Sequence, residues 1–251
     1  MAEISTLKNT SGKELYNYQE DAITEIFQRF DNAGDDYHLL YQLPTGGGKT
    51  VIFSEIVRRY ISKYKKKVLV LTHRIELSKQ TSNMLSEFGV ENKIINSTAQ
   101  LDDQDKYDCF VAMVETLKNR LNDEKLDISD IGLVIVDEAH YNSFTKIFKF
   151  FDNSIILGVT ATPLSSNIKL PMYENYQELF VGETIQHLID NEYLASANLY
   201  SYNVGLTSLE VGANGDYTVK SSEDLYTNSD MLSKLVSAYE ETAKGKKTLI
   251  F

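Results

Sequence analysis

The sequence predicts an α/β protein whose mostly parallel sheet is covered by helices on both faces. Short apolar runs rich in β-branched residues alternate along the chain with longer amphipathic segments. These runs are apolar throughout, as expected of parallel strands buried on both faces. The unusual polar motifs fall directly after such runs, and ligands of parallel sheets bind at the carboxyl ends of the strands. We therefore expect a single binding edge.

The first ninety residues predict three helices and two strands. Apolar residues at helical spacing predict amphipathic helices over 17–30, 49–64 and 74–88. Gly89 supplies the stop signal of the third helix. Apolar runs predict buried strands over 37–43 and 68–72. This alternation is the pattern of a parallel sheet.

The middle of the chain continues this pattern, whereas the last sixty residues do not. Further buried strands are predicted over 109–114, 133–138 and 155–160. After about residue 190 we expect, in order, a strand, a turn-rich polar connector, a helix and another buried strand, over 198–209, 210–229, 231–245 and 246–251. The last of these runs to Phe251, which leads us to expect that the natural protein continues.

Composition narrows the classes of function. The 251 residues are 42% hydrophobic and carry a net charge of −11. This acidity argues against a protein that holds nucleic acid by bulk electrostatics, although it allows a local basic track. The basic run over 63–67 fits a solvated helix end better than a nucleic-acid patch. The lone Cys109 cannot support a disulfide framework, and no apolar run approaches a membrane span, so we expect a cytoplasmic protein without a membrane partner.

The stretch YQLPTGGGKTVIF over 41–53 predicts a phosphate-binding loop between a strand and a helix. Its glycines allow backbone N–H groups to face a phosphate chain at the positive end of the helix. Lys49 would reach the β- and γ-phosphates, and the Thr50 hydroxyl would ligate Mg²⁺. A glycine-rich turn that precedes Lys-Thr by chance is disfavoured by the flanking elements. Leu43 occupies the place of the usual first glycine. The residues predicted to line this site are Thr45, Gly46, Gly47, Gly48, Lys49 and Thr50.

The run LVIVDEAH over 133–140 places two carboxylates at the end of a strand. Asp137 would hold Mg²⁺ directly or through water, and Glu138 would orient and polarise the attacking water. The alternative is an ordinary strand terminus whose polar residues cap a following helix. We expect Lys49, Glu138 and His140 to be the catalytic residues.

Three further motifs after strands carry weaker signals. In GVTATP over 158–163, Thr160 and Thr162 could relay the state of the nucleotide through His140, or simply form a turn before proline. His73 and Arg74 at a helix start could contact nucleic-acid phosphates, or be a plain exposed helix start. Thr116 could contact a nucleic-acid backbone or cap a helix.

Two other histidines, His38 and His187, fit a structural role better than a catalytic one, because no spacing typical of metal ligands accompanies them.

These motifs together resemble the first motor lobe of superfamily 2 helicases and translocases, most closely the DEAD/DEAH-box group that includes the restriction-enzyme Res subunit. LPTGGGKT resembles motif I of that family, in which another residue commonly replaces the first glycine. LTHRIELSKQ resembles motif Ia, DEAH motif II and TATP motif III. LYNYQEDAI resembles the adenine-reading Q motif, which implies that Gln19 contacts adenine while Tyr16 or Tyr18 packs beside the base.

The resemblance implies a RecA-like P-loop fold, with an ATP-binding lobe over 1–195 and a connector plus the start of a second RecA-like lobe over 196–251. ATP and Mg²⁺ are the implied cofactors, and nucleic acid the implied partner, with DNA favoured over RNA. Family members carry an arginine finger in the second lobe, which is worth roughly 10³ or more in rate. We therefore expect this chain to bind ATP and hydrolyse it weakly alone. The rival hypothesis is a nucleotide-sensing or scaffold module without motor activity.

Overall fold

The computed structural model describes residues 14–96, 106–122, 130–141, 144–165, 167, 169–203, 206–212 and 215–249. The chain divides after Ser196 into two compact units, here called unit 1 and unit 2. None of the helices in the described part of the chain has the length and apolar content needed to cross a membrane.

Unit 1 is built on a sheet of seven described strands whose neighbours all pair in parallel. The strands are β1 (His38–Gln42), β2 (Lys67–Thr72), β3 (Asn92–Ile95), β4 (Cys109–Met113), β5 (Ile131–Asp137), β6 (Ile155–Thr160) and β7 (Glu178–Val181). Their spatial order is β3-β4-β2-β5-β6-β1-β7. The predicted α/β class is confirmed. β3 and β7 were missed because they are short and only partly buried, as edge strands often are.

The helices of unit 1 connect these strands. They are α1 (Asn17–Asn32), α2 (Lys49–Tyr64), α3 (Ile75–Glu87), α4 (Val114–Asn122), α5 (Thr145–Phe148) and α6 (Ile185–Asp190). The first three were predicted within two residues at each end. α4 follows β4 without a loop, so Val114 belongs to a helix and not to the predicted strand.

The sheet separates two cores, one on each face, because its central strands are apolar on both sides. In β2, Val68 and Val70 pack in one core while Leu69 and Leu71 pack in the other. The register of the strands brings their carboxyl ends to the same edge of the sheet. Gln42, the last residue of β1, lies opposite Thr160, the last residue of β6. Asp137 of β5 lies opposite Val159. The residues that follow these strands therefore meet at one edge.

Unit 2 differs from the sequence prediction. No strand forms over 198–203, which is exposed, and Leu206–Ser208 is a 3-10 helix. The predicted connector contains helix α7 (Val219–Tyr226), which begins where the Thr218 side chain accepts a hydrogen bond from the Ser221 amide. The predicted helix is present as α8 (Ser229–Thr242). Residues 246–249 are exposed and form no strand, so that part of the last strand prediction is wrong; residues 250–251 lie outside the described residues.

Candidate functional site

The loop between β1 and α2 shows why Leu43 is compatible with a phosphate-binding loop. Its side chain is 0% exposed and belongs to the core of unit 1. Its amide donates to the Thr160 carbonyl at 3.0 Å, which ties the loop to β6. A Cβ atom added to Gly47 would lie 2.8 Å from Leu43 Cγ, so the leucine packs beneath the glycines. Leu43 thus supports the loop from below.

The glycines bring the start of α2 to the loop surface. Gly46 and Gly48 have φ values of 85° and 81°, which favour glycine. Gly48 is the N-cap of α2, and no side chain caps this helix end. The first amides of a helix lack intrahelical partners and carry partial positive charge, so they form a ready anion site. The loop can therefore bind a phosphate chain.

The cationic and hydroxyl groups of this site lie in the first turn of α2. Lys49 and Thr50 are its first two residues, and both are half-buried. Lys49 Nζ lies 3.5 Å from the Leu43 carbonyl. Its charge also lowers the pKa of Asp137, which places it within electrostatic reach of β5. Thr45 lies earlier in the loop and is exposed.

Asp137 is a buried carboxylate at the end of β5. It is 8% exposed, and burial together with the nearby charge of Glu138 raises its pKa to about 6, against smaller lowering effects from the Glu138 amide and Lys49. The Glu138 amide donates to Asp137 Oδ1 at 3.0 Å. A divalent cation would stabilise the ionised form of such a carboxylate. Asp137 and Thr50 offer the oxygen ligands that Mg²⁺ uses beside substrate phosphates. The residues present therefore fit Mg²⁺ with a nucleotide.

Glu138, His140 and Thr160 form one group of polar side chains in close contact after β5 and at the end of β6. His140 Nδ1 lies 3.0 Å from Thr160 Oγ1 and 3.4 Å from Glu138 Oε2. Thr160 Oγ1 also lies 3.1 Å from the Thr162 carbonyl, to which its hydroxyl can donate. The Thr162 amide donates to the same hydroxyl at 3.1 Å. Thr162 thus joins the group through its backbone.

Tyr141, which the sequence analysis did not single out, connects this group to the residue after β2. Its ring centroid lies 4.3 Å from that of His140 and 4.4 Å from that of His73. Burial and the charge of Arg74 lower the pKa of His73, against a raising effect from Glu138. His73 therefore lies against Tyr141 and within electrostatic reach of Glu138. The exposed Arg74 is the N-cap of α3.

Thr116 does not cap a helix, because α4 begins at Val114 and Thr116 lies within its first turn. It is half-buried and follows β4, which β2 separates from β5. Thr116 therefore follows a strand that does not adjoin β5.

The two tyrosines near Gln19 have different environments. Gln19 Oε1 accepts from the Tyr16 amide at 3.0 Å, and its Nε2 donates to the Tyr18 hydroxyl at 3.3 Å. The Tyr18 hydroxyl donates to the Gly47 carbonyl at 2.8 Å. Tyr18 is 8% exposed and Tyr16 50%. Of the two, Tyr16 is therefore the one that can face a base.

A second missed segment follows α6. The Tyr193 ring lies 4.7 Å from that of Tyr16 and 5.0 Å from that of Tyr18. Leu194 Cδ1 would lie 2.7 Å from a Cβ atom on Gly46. The stretch ETIQHLIDNEYLASANLYSYNV, which contains both residues, resembles the bridge into the second lobe, and that resemblance did not assign either residue to the nucleotide site.

The two remaining histidines have protein partners. His38 Nδ1 lies 2.7 Å from the Asn175 carbonyl, and His187 Nδ1 pairs with Glu183. Across the described ranges, no group of three or more His, Cys, Asp or Glu side chains could hold a metal ion.

A family model described as Type III restriction enzyme, res subunit, matches residues 12–165, which is more than half of the chain. The chain belongs to this family. It carries the N-terminal RecA-like lobe of the Res-subunit group of superfamily 2 helicases, as its motifs predicted. Residues from Gln19 to Thr162 that form the site all lie within the matched segment.

Individual relatives extend the similarity beyond the family match. IRC3 of Saccharomyces cerevisiae, named as a candidate ATP-dependent helicase, is 27% identical over 96% of this chain and 37% of its own length. A 51.5 kDa protein of a Lactococcus phage is 30% identical over 84% of this chain and 43% of its own. This chain therefore spans less than half the length of these relatives.

Solved structures share the fold. The helicase domain of Pyrococcus furiosus Hef aligns with a TM-score of 0.53 at 24% identity, over 65% of this chain and 37% of that one. The restriction-modification enzyme LlaGI, solved with a DNA substrate mimic, aligns with a TM-score of 0.57 at 20% identity, over 72% of this chain and 21% of that one. These alignments show the RecA-like fold.

Proposed function

We propose that this chain is the ATP-binding motor lobe of a nucleic-acid-dependent ATPase of the helicase or translocase type. One observation carries the proposal: the glycine loop and Lys49 lie at the same sheet edge as the buried Asp137. The loop follows β1 and Asp137 ends β5, and these two strands lie on either side of β6. A phosphate-binding loop facing a carboxylate at a strand end is what magnesium-assisted phosphoryl transfer requires.

The roles of the residues follow from their positions. The loop amides and Lys49 would hold the β- and γ-phosphates, and Thr50 and Asp137 would hold Mg²⁺, which when bound neutralises charge on the transferred phosphoryl group. Glu138 would orient water and accept its proton. His140, which contacts both Glu138 and Thr160, would fix the direction of that carboxylate.

Coupling to nucleic acid would run along the same sheet edge. The ring series His73, Tyr141 and His140 joins the end of β2 to the group around Glu138. Arg74, exposed beside His73, would contact a phosphate of a bound strand. DNA would be the favoured partner, because LlaGI was solved with a DNA substrate mimic and a relative in Scheffersomyces stipitis is named an ATP-dependent DNA helicase. RNA is the alternative, because relatives in Methanocaldococcus jannaschii and African swine fever virus are named as candidate RNA helicases. A second RecA-like lobe would complete the motor.

Calorimetric titration of this chain with Mg-ATP tests the binding step. A charge-assisted hydrogen bond is worth about 1.5–3 kcal/mol, so Lys49→Ala is expected to weaken ATP roughly 10- to 100-fold. Lys63→Ala, near the other end of the same helix and paired with Asp31, should leave binding unchanged. Equal affinity of the Lys49 variant and the parent chain would contradict the assignment of the loop.

The acidic charge of −11 favours the second candidate, a nucleotide-sensing module without motor work. The two are separated by ATP turnover in this chain joined to its second lobe, measured with and without DNA and RNA. Stimulation by nucleic acid supports the motor. Turnover that neither nucleic acid changes would favour the sensor.

A further inference from the structure

The three tyrosines beside the phosphate loop form one ring cluster, made of Tyr16, Tyr18 and Tyr193. Tyr18 is committed to the loop, since it is buried and its hydroxyl donates to the Gly47 carbonyl at 2.8 Å. The backbone of Tyr16 is also fixed: its carbonyl accepts from the amides of Gln19 and Glu20, at 2.9 and 3.1 Å. The Tyr16 ring itself is half exposed. The orientation of the Tyr16 ring therefore depends on the side chains that contact it.

Tyr193 lies closer to the Tyr16 ring than Tyr18 does. The centroids of these two rings lie 4.7 Å apart at an interplanar angle of 46°, whereas those of Tyr16 and Tyr18 lie 6.0 Å apart. Aromatic pairs are favourable at centroid separations of roughly 4.5–7 Å. A flat base inserted between two rings would need about 7 Å, twice the carbon contact distance. A base therefore cannot enter between Tyr16 and Tyr193, which leaves the exposed part of the Tyr16 ring as the surface available to a base.

The segment that carries Tyr193 is anchored in the core of unit 1. The amides of Tyr193 and Leu194 both donate to the Leu188 carbonyl, each at 2.9 Å. Leu188 is fully buried in the core cluster. Glu192 has a φ of 60°, which turns the chain back after α6. Tyr193 is therefore held by the fold and not by the rings that it contacts.

Leu194, the next residue, contacts the loop itself at Gly46. One short segment thus contacts both halves of the site, the base side through Tyr193 and the phosphate side through Leu194.

We propose that Tyr193 is a positioning residue of the nucleotide site, which holds Tyr16 as the platform on which an aromatic base stacks. The proposal rests on the proposed ATP-binding function and adds a base-side determinant from a segment outside the motifs. Because Tyr193 acts through ring contact, a phenylalanine suffices at this position. Because it acts on the base side, its loss affects nucleotides and spares the bare phosphate chain.

The test compares Mg-ATP with Mg-tripolyphosphate, which carries the phosphates without base or ribose, by calorimetric titration of this chain. Tyr193→Ala and Tyr193→Leu are expected to weaken ATP by about fivefold to tenfold, as loss of an aromatic contact implies. Tripolyphosphate affinity should stay the same, and Tyr193→Phe should retain the parent affinity for both ligands. Tyr173→Ala is the matched control, since that tyrosine of unit 1 is 79% exposed.

Several results would overturn the proposal. Unchanged ATP affinity in both Tyr193→Ala and Tyr193→Leu would show that the ring does not serve the base. An equal loss for ATP and tripolyphosphate would assign Tyr193 to the phosphate loop or to folding in general. If Lys49→Ala weakens ATP while the Tyr193 variants do not, this inference fails and the proposed function stands. If the parent chain binds no ATP, both fail.

Discussion

Units 1 and 2 contain similar apolar patterns but bury them differently. In unit 1, the apolar faces of α1 and α2 pack against the sheet, and Ile23, Ile26 and Ile56 are fully or nearly fully buried. In unit 2, α8 has its own apolar residues at helical spacing, yet Leu232 and Leu235 remain about half exposed. The same helical pattern is thus present in helices of both units, whereas burial of its apolar face requires an opposing surface.

The strand predictions show the same difference. β1 to β7 each pair with at least one neighbour in a sheet. The apolar segment over 198–209 pairs with no strand in its described part, and it stays irregular apart from one 3-10 turn. Backbone groups of a strand need partners on a neighbouring strand, so propensity alone does not produce one.

The largest expected contrast is between two leucines. Leu43→Ala removes a fully buried side chain and should lower the free energy of unfolding by about 2–5 kcal/mol. Leu235→Ala, at a position 48% exposed, should cost less than about 1 kcal/mol because little apolar area is lost. Denaturant unfolding of both variants measures the difference. A similar cost at the two sites would show that α8 has a buried face in solution.

Two glutamates give the next contrast. The Glu55 side chain is 3% exposed and pairs with Arg58 and Arg59, each at 2.6 Å. Glu55→Gln should lower the free energy of unfolding by about 1.5–3 kcal/mol, which is the contribution of a hydrogen bond to a charged group. Glu240 of α8 pairs with Lys244 at 3.4 Å, and both side chains are exposed. Glu240→Gln should therefore lower the free energy of unfolding by less than about 0.5 kcal/mol.

The ion pairs of Glu55 predict that the stability they contribute depends on pH. Burial raises the pKa of Glu55, but its bonds to Arg58 and Arg59 lower it more, so the pKa lies below the ordinary value of 4.5. A depressed folded-state pKa stabilises the protein above the unfolded pKa, and that stability is lost as pH falls through the folded value. The stability difference between the parent chain and Glu55→Gln should therefore be full above about pH 5 and shrink on acidification. A difference that stays constant down to pH 2 would contradict the ion-pair explanation.

The smallest expected difference in stability is between alanine variants of two glycines that share nearly the same φ. Gly48 and Gly215 have φ values of 81° and 82°. A Cβ atom on Gly48 would lie 2.5 Å from Gln19 Nε2, whereas one on Gly215 would meet nothing within 4 Å. Both alanine variants should carry a left-handed strain of about 1–2 kcal/mol, and Gly48→Ala should cost about 1 kcal/mol more for displacing Gln19. Thermal unfolding of the two variants isolates that extra cost, and equal values would mean that Gln19 moves freely.

The chemistry of the site was largely predictable from the sequence. Asp137, Glu138 and His140 come at the end of an apolar run, and Lys49 follows the glycines between a predicted strand and a predicted helix, so local order along the chain is sufficient to place them at one edge of the sheet. Their roles and the contribution of Thr116 stay predictions.

The relations among these residues required the tertiary structure. Strand order is a nonlocal property, so no local pattern places β6 between β1 and β5 or brings Thr160 to His140. Residue types also did not decide that Tyr18 bonds to the loop while Tyr16 stays exposed.

The sequence by itself determined the α/β class, the position of the glycine loop and the carboxylates at the end of β5, because each depends on residues adjacent in the chain. The tertiary structure alone decided which edge strands form, that unit 2 leaves its apolar residues exposed, and that Tyr193 and Leu194 return to the loop from the far side of α6. These features depend on contacts between distant segments, whose pairing is set by the whole fold.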